Sequence, residues 1–306
     1  DAQIASALRL TWQPLFGRFG SLTPTQRASI PAILDGQDLL LCAPTASGKT
    51  EAVCAPLVER SLEAVTPTSI LYVSPTRALV NDLAERLRPR LALIGVPVVR
   101  RTGDHHEPIP NTGAVIVTTP ESFDSLLCRG RREPIGHDLA SVQAAVLDEV
   151  HLLFGSARGE QLRWLLERLR RLRVHAHREG WVRSPSLQVV ALSATVPDPS
   201  AIARAYLRGG VVVTVGGGRT IEAIAPSTDV PSPEMAIPAY LRTLRQPEKL
   251  LVFSPARRRV DELAVLLREE VGPLGYSVHA HHGSLSAGAR EHAEAAARTD
   301  SKVIIC

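Results

Sequence analysis

The 306 residues, 44% hydrophobic and 22% charged, hold enough apolar material for one large core or two medium ones. No apolar run approaches the roughly 20 residues that cross a bilayer and the first residues lack a signal-peptide layout, so no membrane association is expected and a cytoplasmic location is the default. Four scattered cysteines, Cys42, Cys54, Cys128 and Cys306, form no CxxC pair and suggest neither a disulfide framework nor a zinc site, and a net charge of +4 suits a nucleic-acid partner without requiring one.

Short β-branched and aliphatic runs alternate with longer helical patterns, the mark of βαβ units and a parallel sheet. Strands are expected over 39–42, 69–73, 97–100, 114–118, 144–148, 187–192 and 211–215, most of them apolar on both faces. Between them, 76–93 and 160–177 read as helices. In the second, Leu162, Leu165, Leu166, Leu169 and Leu172 recur at helical spacing, while Arg163, Arg168, Arg170, Arg171 and Arg173 lie off that stripe and are expected to face solvent. After Val215 the glycines 216–218 and the prolines Pro226, Pro231, Pro233 and Pro238 suggest a linker. From about Met235 the alternation resumes, with a short helix, a strand at 250–253, a helix at 257–270, a strand at 277–281, a helix at 286–297 and a strand at 302–306. The expected organisation is α/β, with two tandem units, 1–228 and 229–306, the second incomplete.

Two stretches carry chemistry. Leu39 to Cys42 lead into Ala43-Pro44-Thr45-Ala46-Ser47-Gly48-Lys49-Thr50, an apolar strand followed by a small-residue loop and a helix start. Backbone N–H groups of such a loop, backed by the helix N-terminus, cradle phosphates. Lys49 would neutralise the β- and γ-phosphates, and is expected to face solvent until they arrive, while the Thr50 hydroxyl would bind Mg²⁺. Ala43 stands where the generic signature has its first glycine. Farther on, the strand Ala144 to Leu147 ends in Asp148-Glu149-Val150-His151, which places two acids at the carboxyl edge of the sheet. Asp148 can hold Mg²⁺ through water, and Glu149 can polarise an attacking water. His105-His106, His175 with His177, and His281-His282 lack a third ligand at a suitable spacing, so they suggest no further metal site.

With these two stretches as motifs I and II, the chain resembles the superfamily 2 helicases of DExH type along nearly all its length. Ser193-Ala194-Thr195 looks like motif III, Ser74 to Val80 like motif Ia, Thr118 to Ser122 like motif Ib, and Phe19 to Gln26 like the Q motif. Leu251 to Pro255 looks like motif IV, and His281 to Ser286 like the segment after it. Within the superfamily the text is most similar to Lhr-type and related DNA-repair helicases. The resemblance implies tandem RecA-like domains, ATP and Mg²⁺ as cofactors, and movement on single-stranded or partly duplex DNA, with 3′–5′ polarity. RNA is the alternative substrate, a nucleotide-gated clamp the alternative activity, and no protein partner is indicated.

The resemblance also assigns residues. Lys49, Asp148 and Glu149 would be catalytic, and Thr25 and Gln26 would join Ala43 to Thr50 in binding ATP, with Gln26 reading the adenine edge. The family's adenine-stacking aromatic falls near Arg9, and Trp12 and Phe16 are the nearest aromatic residues. His151, Ser193, Ala194 and Thr195 would couple the nucleotide to the nucleic acid, the two hydroxyls bonding motif II residues. Pro75, Thr76, Arg77, Thr119 and Pro120, with Ser254, Arg257, His282 and Gly283 in the second domain, would contact nucleic-acid phosphates. Motifs V and VI would follow the last strand, so poor hydrolysis is expected of residues 1–306 alone.

Overall fold

The computed structural model describes residues 1–65, 68–129, 136–217 and 233–306. It divides into two compact units, Asp1–Arg219 and Thr220–Cys306. The expected boundary at 228 and most of the expected linker lie outside the described residues.

In the first unit seven strands form one parallel sheet: β1 (Leu39–Cys42), β2 (Ser69–Val73), β3 (Val98–Arg101), β4 (Val115–Thr118), β5 (Val142–Leu147), β6 (Gln188–Ser193) and β7 (Val211–Thr214), in the order β3-β4-β2-β5-β6-β1-β7. Among the described residues eight α-helices accompany them: α1 (Ala2–Ala7), α2 (Trp12–Phe16), α3 (Pro24–Leu34), α4 (Lys49–Glu63), α5 (Arg77–Ala92), α6 (Pro120–Arg129), α7 (Ala157–Arg178) and α8 (Pro199–Tyr206). Successive strand residues point to opposite faces, and here both faces are buried. Leu39, Leu41, Tyr72 and Val146 pack with Ile30, Val53, Leu57 and Leu83 of α3, α4 and α5, while Leu40, Leu71, Ile116 and Leu147 pack with Phe123, Leu162 and Ile202 of α6, α7 and α8.

The strand order decides where the loops meet. β5, β6 and β1 are neighbours, so the loops after them converge on one half of the carboxyl edge, whereas β4 and β2 bring their loops together on the other half. The start of α3 is set by a reciprocal cap: Thr23 Oγ1 accepts the Gln26 N–H at 3.3 Å, and Gln26 Oε1 accepts the Thr23 N–H at 2.8 Å.

The second unit holds α9 (Pro233–Thr243), β8 (Leu250–Leu251), α10 (Arg257–Val271), β9 (Ser277–His279), α11 (Ala287–Thr299) and β10 (Val303–Ile305), with a parallel sheet in the order β8-β10-β9. Its core joins Val260, Leu267 and Val271 of α10 to Val278 and Ile304. The strand expected to reach 253 stops at Leu251, because Phe253 is turned out, 91% exposed. No described helix is long and apolar enough to cross a membrane.

One expectation for α7 is overturned. Arg173 is 3% exposed, and its guanidinium donates to the carbonyls of Ala140 at 2.6 Å, Ser186 at 3.3 Å and Ser184. Burial pushes its pKa down to about 10, and the three carbonyls supply partners for its two Nη groups, while Nε is buried without one. Arg173→Leu would leave those oxygens unpaired, and is expected to lower the unfolding free energy by about 2–3 kcal/mol in urea titrations. A loss as small as that of an exposed α7 arginine would contradict this account.

Candidate functional site

A cleft of about 680 Å³ opens at the carboxyl ends of β1 and β5. It is lined by Phe19, Leu22, Thr23 and Gln26, by Thr45, Ala46, Gly48, Lys49 and Thr50, by Asp82 and Arg86 of α5, and by Asp148 and Glu149. Ala46 and Gly48 have left-handed backbone, with φ of +58° and +82°. Gly48 is the residue before α4, and a Cβ there would collide with the Gln26 amide, so the loop's turn requires glycine at this point.

Lys49 does not face solvent as expected. It is 8% exposed, and its Nζ donates to the carbonyls of Ala43 at 2.9 Å and Ser193 at 3.1 Å, with Glu149 Oε1 at 3.9 Å. A buried ammonium must be solvated by something, and the paired ends of β1 and β6 supply two oxygens. Gln26 is also engaged: beyond its cap, its Nε2 donates to the Gly48 carbonyl at 3.3 Å, while Thr23 Oγ1 donates to the Ser47 carbonyl at 2.9 Å. Thr25 is 1% exposed, and neither it nor Ala43, Pro44 or Ser47 lines the cleft.

Glu149 follows the end of β5 in left-handed conformation, φ +44°, and its N–H donates to Asp148 Oδ1 at 3.0 Å. Burial, then the charge of Glu149, push the Asp148 carboxyl up to about 6. His151 Nδ1 accepts the Ala194 N–H at 3.3 Å and lies 3.4 Å from Glu149 Oε2. This link between motifs II and III differs from the expected one. The Ser193 hydroxyl is buried beside the Cys42 thiol and bonds no motif II side chain, and Thr195 is exposed, so a backbone amide makes the connection.

The donor set fits a metal–nucleotide. A hydroxyl and a carboxyl meet the preference of a small hard cation for oxygen, and a turned loop ahead of a helix N-terminus suits phosphates. Among the described residues no group of three His, Cys, Asp or Glu side chains could hold a metal ion.

Sequence reasoning missed several lining residues, Phe19, Asp82 and Arg86 among them. Phe19 is 52% exposed at the cleft, with the Arg18 guanidinium 4.3 Å from its ring centre, whereas Phe16 is buried and Trp12 packs on it at 5.4 Å, so neither lines the cleft. The signal for Phe19 was its place inside the Q-like stretch. Asp82 and Arg86 lie four apart on α5, 3.5 Å from each other, and that spacing after motif Ia was their only signal.

The second half of the edge carries a groove of about 610 Å³ lined by Pro75, Thr76, Arg77, Arg101, His106, Thr119, Glu121, Ser122, Arg129 and Arg158, among others. Thr76 Oγ1 caps α5 by accepting the Leu79 N–H at 3.3 Å, and Thr119 Oγ1 donates to Ser122 Oγ at 3.3 Å. Two of the groove's arginines are already paired, Arg77 with Asp104 at 2.8 Å and Arg158 with Glu121 at 2.7 Å. Pro120 is buried as the first residue of α6 and does not line the groove. In the second unit Arg257 donates to Ser284 Oγ at 2.7 Å, and His282 accepts the Ser284 N–H at 3.3 Å on Nδ1 while Nε2 lies 3.0 Å from Asp261. Gly283 is exposed beside them, and Ser254 has a buried, unpartnered hydroxyl just beyond β8.

A family model described as DEAD/DEAH box helicase matches residues 23–202. The chain is 34% identical over 252 residues to the "Lhr helicase/ probable uracil glycosylase" of Mycolicibacterium smegmatis, covering 76% of this chain and 16% of that protein. It is 30% identical over 328 residues to the "ATP-dependent helicase Lhr-Core" of Methanocaldococcus jannaschii, covering 95% of this chain and 36% of that protein. The solved structure of Mycobacterium smegmatis helicase Lhr bound to ssDNA and AMP-PNP is similar at a TM-score of 0.74 and 28% identity, over 97% of this chain and 41% of that one. The chain thus spans between about a sixth and about a third of the curated relatives it matches.

The raised Asp148 carboxyl predicts a pH signature. Its ordinary value is 3.8 and its folded value about 6, so its contribution to stability is fully present below pH 4 and is lost as pH rises through 6. The loss amounts to about 3 kcal/mol above pH 7. Asp148→Asn, which keeps an acceptor for the Glu149 N–H, is expected to be more stable than wild type by about that amount at pH 8 in metal-free urea titrations. The two proteins should converge at pH 4. A gap of the same size at both pH values would contradict the burial of the charge.

Proposed function

We propose that this chain, which belongs to the DEAD/DEAH box helicase family and is similar to its Lhr-type members, is the motor segment of an ATP-dependent helicase acting on DNA with 3′–5′ polarity. The observation that carries the reading is the division of one sheet edge into two clefts. One gathers Lys49, Thr50, Asp148 and Glu149, and the other gathers Thr76, Arg77 and Thr119.

Lys49 exchanges its two carbonyl partners for phosphate oxygens, and the turned loop presents its amides to the same phosphates. Gln26, already against the loop carbonyl of Gly48, is placed to read the base edge. Thr50 and Asp148 would hold Mg²⁺, which would supply neutralisation of the phosphate charge. Glu149 orients the attacking water and accepts its proton. His151 Nδ1 accepts the Ala194 N–H with the Glu149 carboxylate 3.4 Å away, so motif II touches the end of β6 beside the water-activating carboxylate. In the groove Arg77 and Arg158 exchange Asp104 and Glu121 for backbone phosphates, with Thr76 and Thr119 alongside. Within the second unit, Ser254, Arg257, His282 and Gly283 are the residues that would contact phosphates. The DNA assignment is supported by the ssDNA in the similar Lhr structure. RNA is the second reading, because guanidinium–phosphate contacts serve both polymers and no groove residue singles out a 2′-OH.

In the full-length protein, Glu149→Gln is expected to retain Mg-ATP affinity and to lower nucleic-acid-stimulated hydrolysis by about a hundredfold or more. Wild-type turnover in that variant would remove Glu149 from its role. Binding of labelled single strands should weaken steeply with salt, and Asp104→Asn, which frees Arg77, should tighten it by about twofold to fivefold at low salt. Anisotropy titrations with matched DNA and RNA oligonucleotides would measure both effects, and a stronger response to RNA would overturn the DNA assignment.

A further inference from the structure

The nucleotide cleft contains a second cation besides Lys49, and it is attached to the hydroxyl assigned to the metal. Arg86 donates from Nη2 to Thr50 Oγ1 at 3.1 Å. Its Nη1 lies 3.5 Å from Asp82, one turn back on α5. A helix-surface arginine with a partner four residues away has no need to reach another helix. Here the reach is built in, because the next arginine along that face, Arg90, pairs with Glu51 at 2.9 Å with both groups mostly buried, which pins α5 against the first turn of α4.

A guanidinium and a divalent cation compete for one hydroxyl, because two positive charges brought to the same oxygen repel. The N–H points at the oxygen lone pair that a metal would take. Arg86 also offsets the acidic lining formed by Glu51, Asp82, Asp148 and Glu149. We propose that Arg86 is a positioning residue of the nucleotide site: it holds the Thr50 hydroxyl in the nucleotide-free protein and yields it to Mg²⁺, thereby setting the Mg²⁺ concentration at which the site fills. The inference rests on the reading of this cleft as the Mg-ATP site. Displaced, the guanidinium stays beside the cleft, held by Asp82.

The test is the binding of fluorescent ADP, titrated with MgCl₂ and measured separately in EDTA, for wild type, Arg86→Met, Arg86→Gln and Lys49→Ala. Arg86→Met and Arg86→Gln are expected to lower the half-saturating Mg²⁺ concentration by about threefold to tenfold, while weakening the metal-free affinity for the anionic nucleotide. A merely structural arginine would move both quantities the same way. An unchanged or higher Mg²⁺ requirement in either variant overturns the inference and leaves the nucleotide reading in place. No binding by wild type, or binding untouched by Lys49→Ala, overturns the nucleotide reading and the inference with it.

Discussion

A buried ammonium group needs oxygen around it, and much of this molecule's first unit is arranged to provide it. Lys49 Nζ sits between the carbonyls of Ala43 and Ser193, the residues at the ends of two adjacent parallel strands. Ala43 in turn donates its own N–H to the Ser193 carbonyl at 3.2 Å, so loop and strand are tied by three bonds to two oxygens. The loop is therefore held in shape by bonds within the protein itself. This holding of the lysine depends on β1 lying next to β6, which only the crossover order of the sheet achieves.

Both clefts follow one electrostatic rule. Several of their cations already have oxygen partners, Lys49 with carbonyls, Arg77 with Asp104 and Arg158 with Glu121. A phosphate arriving at such a site replaces an oxygen partner that is already there. Exposed pairs of this kind contribute little to stability, so exchanging them costs little. The more numerous contacts of a polyphosphate or a nucleic-acid backbone then decide the balance.

Most of the architecture was legible in the sequence, because it depends on local patterns. Double-sided apolar runs mark β1, β2, β4, β5 and β6 within about one or two residues of their observed ends, and a strand running into small residues and Gly48 marks the loop. The illegible parts were matters of partnership. Nothing around Arg173 announces that three carbonyls from distant loops will enclose it, while its neighbours Arg168 and Arg171 stay on the surface. The hydroxyls of Ser193 and Thr195 look like natural bridges to motif II, but strand pleating turns the first toward Cys42 and leaves an amide to do the bridging. Phe19 outranks Trp12 and Phe16 at the cleft for a similar reason: hydrophobicity sends the latter two inward, and only tertiary packing shows which ring is left at the opening.

Helix α5 belongs to both clefts at once. Its cap, Thr76, and first residue, Arg77, line the groove, and Asp82 and Arg86 line the nucleotide cleft. At 1.5 Å per residue its length is about 24 Å, short enough for an α-helix to move as one piece. With Arg90 fastened to Glu51, a tilt of α5 is resisted at its far end and carried through to its cap. Occupancy of one cleft thus alters the free energy of filling the other whenever either ligand shifts this rod. Thermodynamic reciprocity makes that heterotropic linkage equal in both directions, so a strand that tightens the hold on nucleotide must itself be held more tightly in the nucleotide's presence.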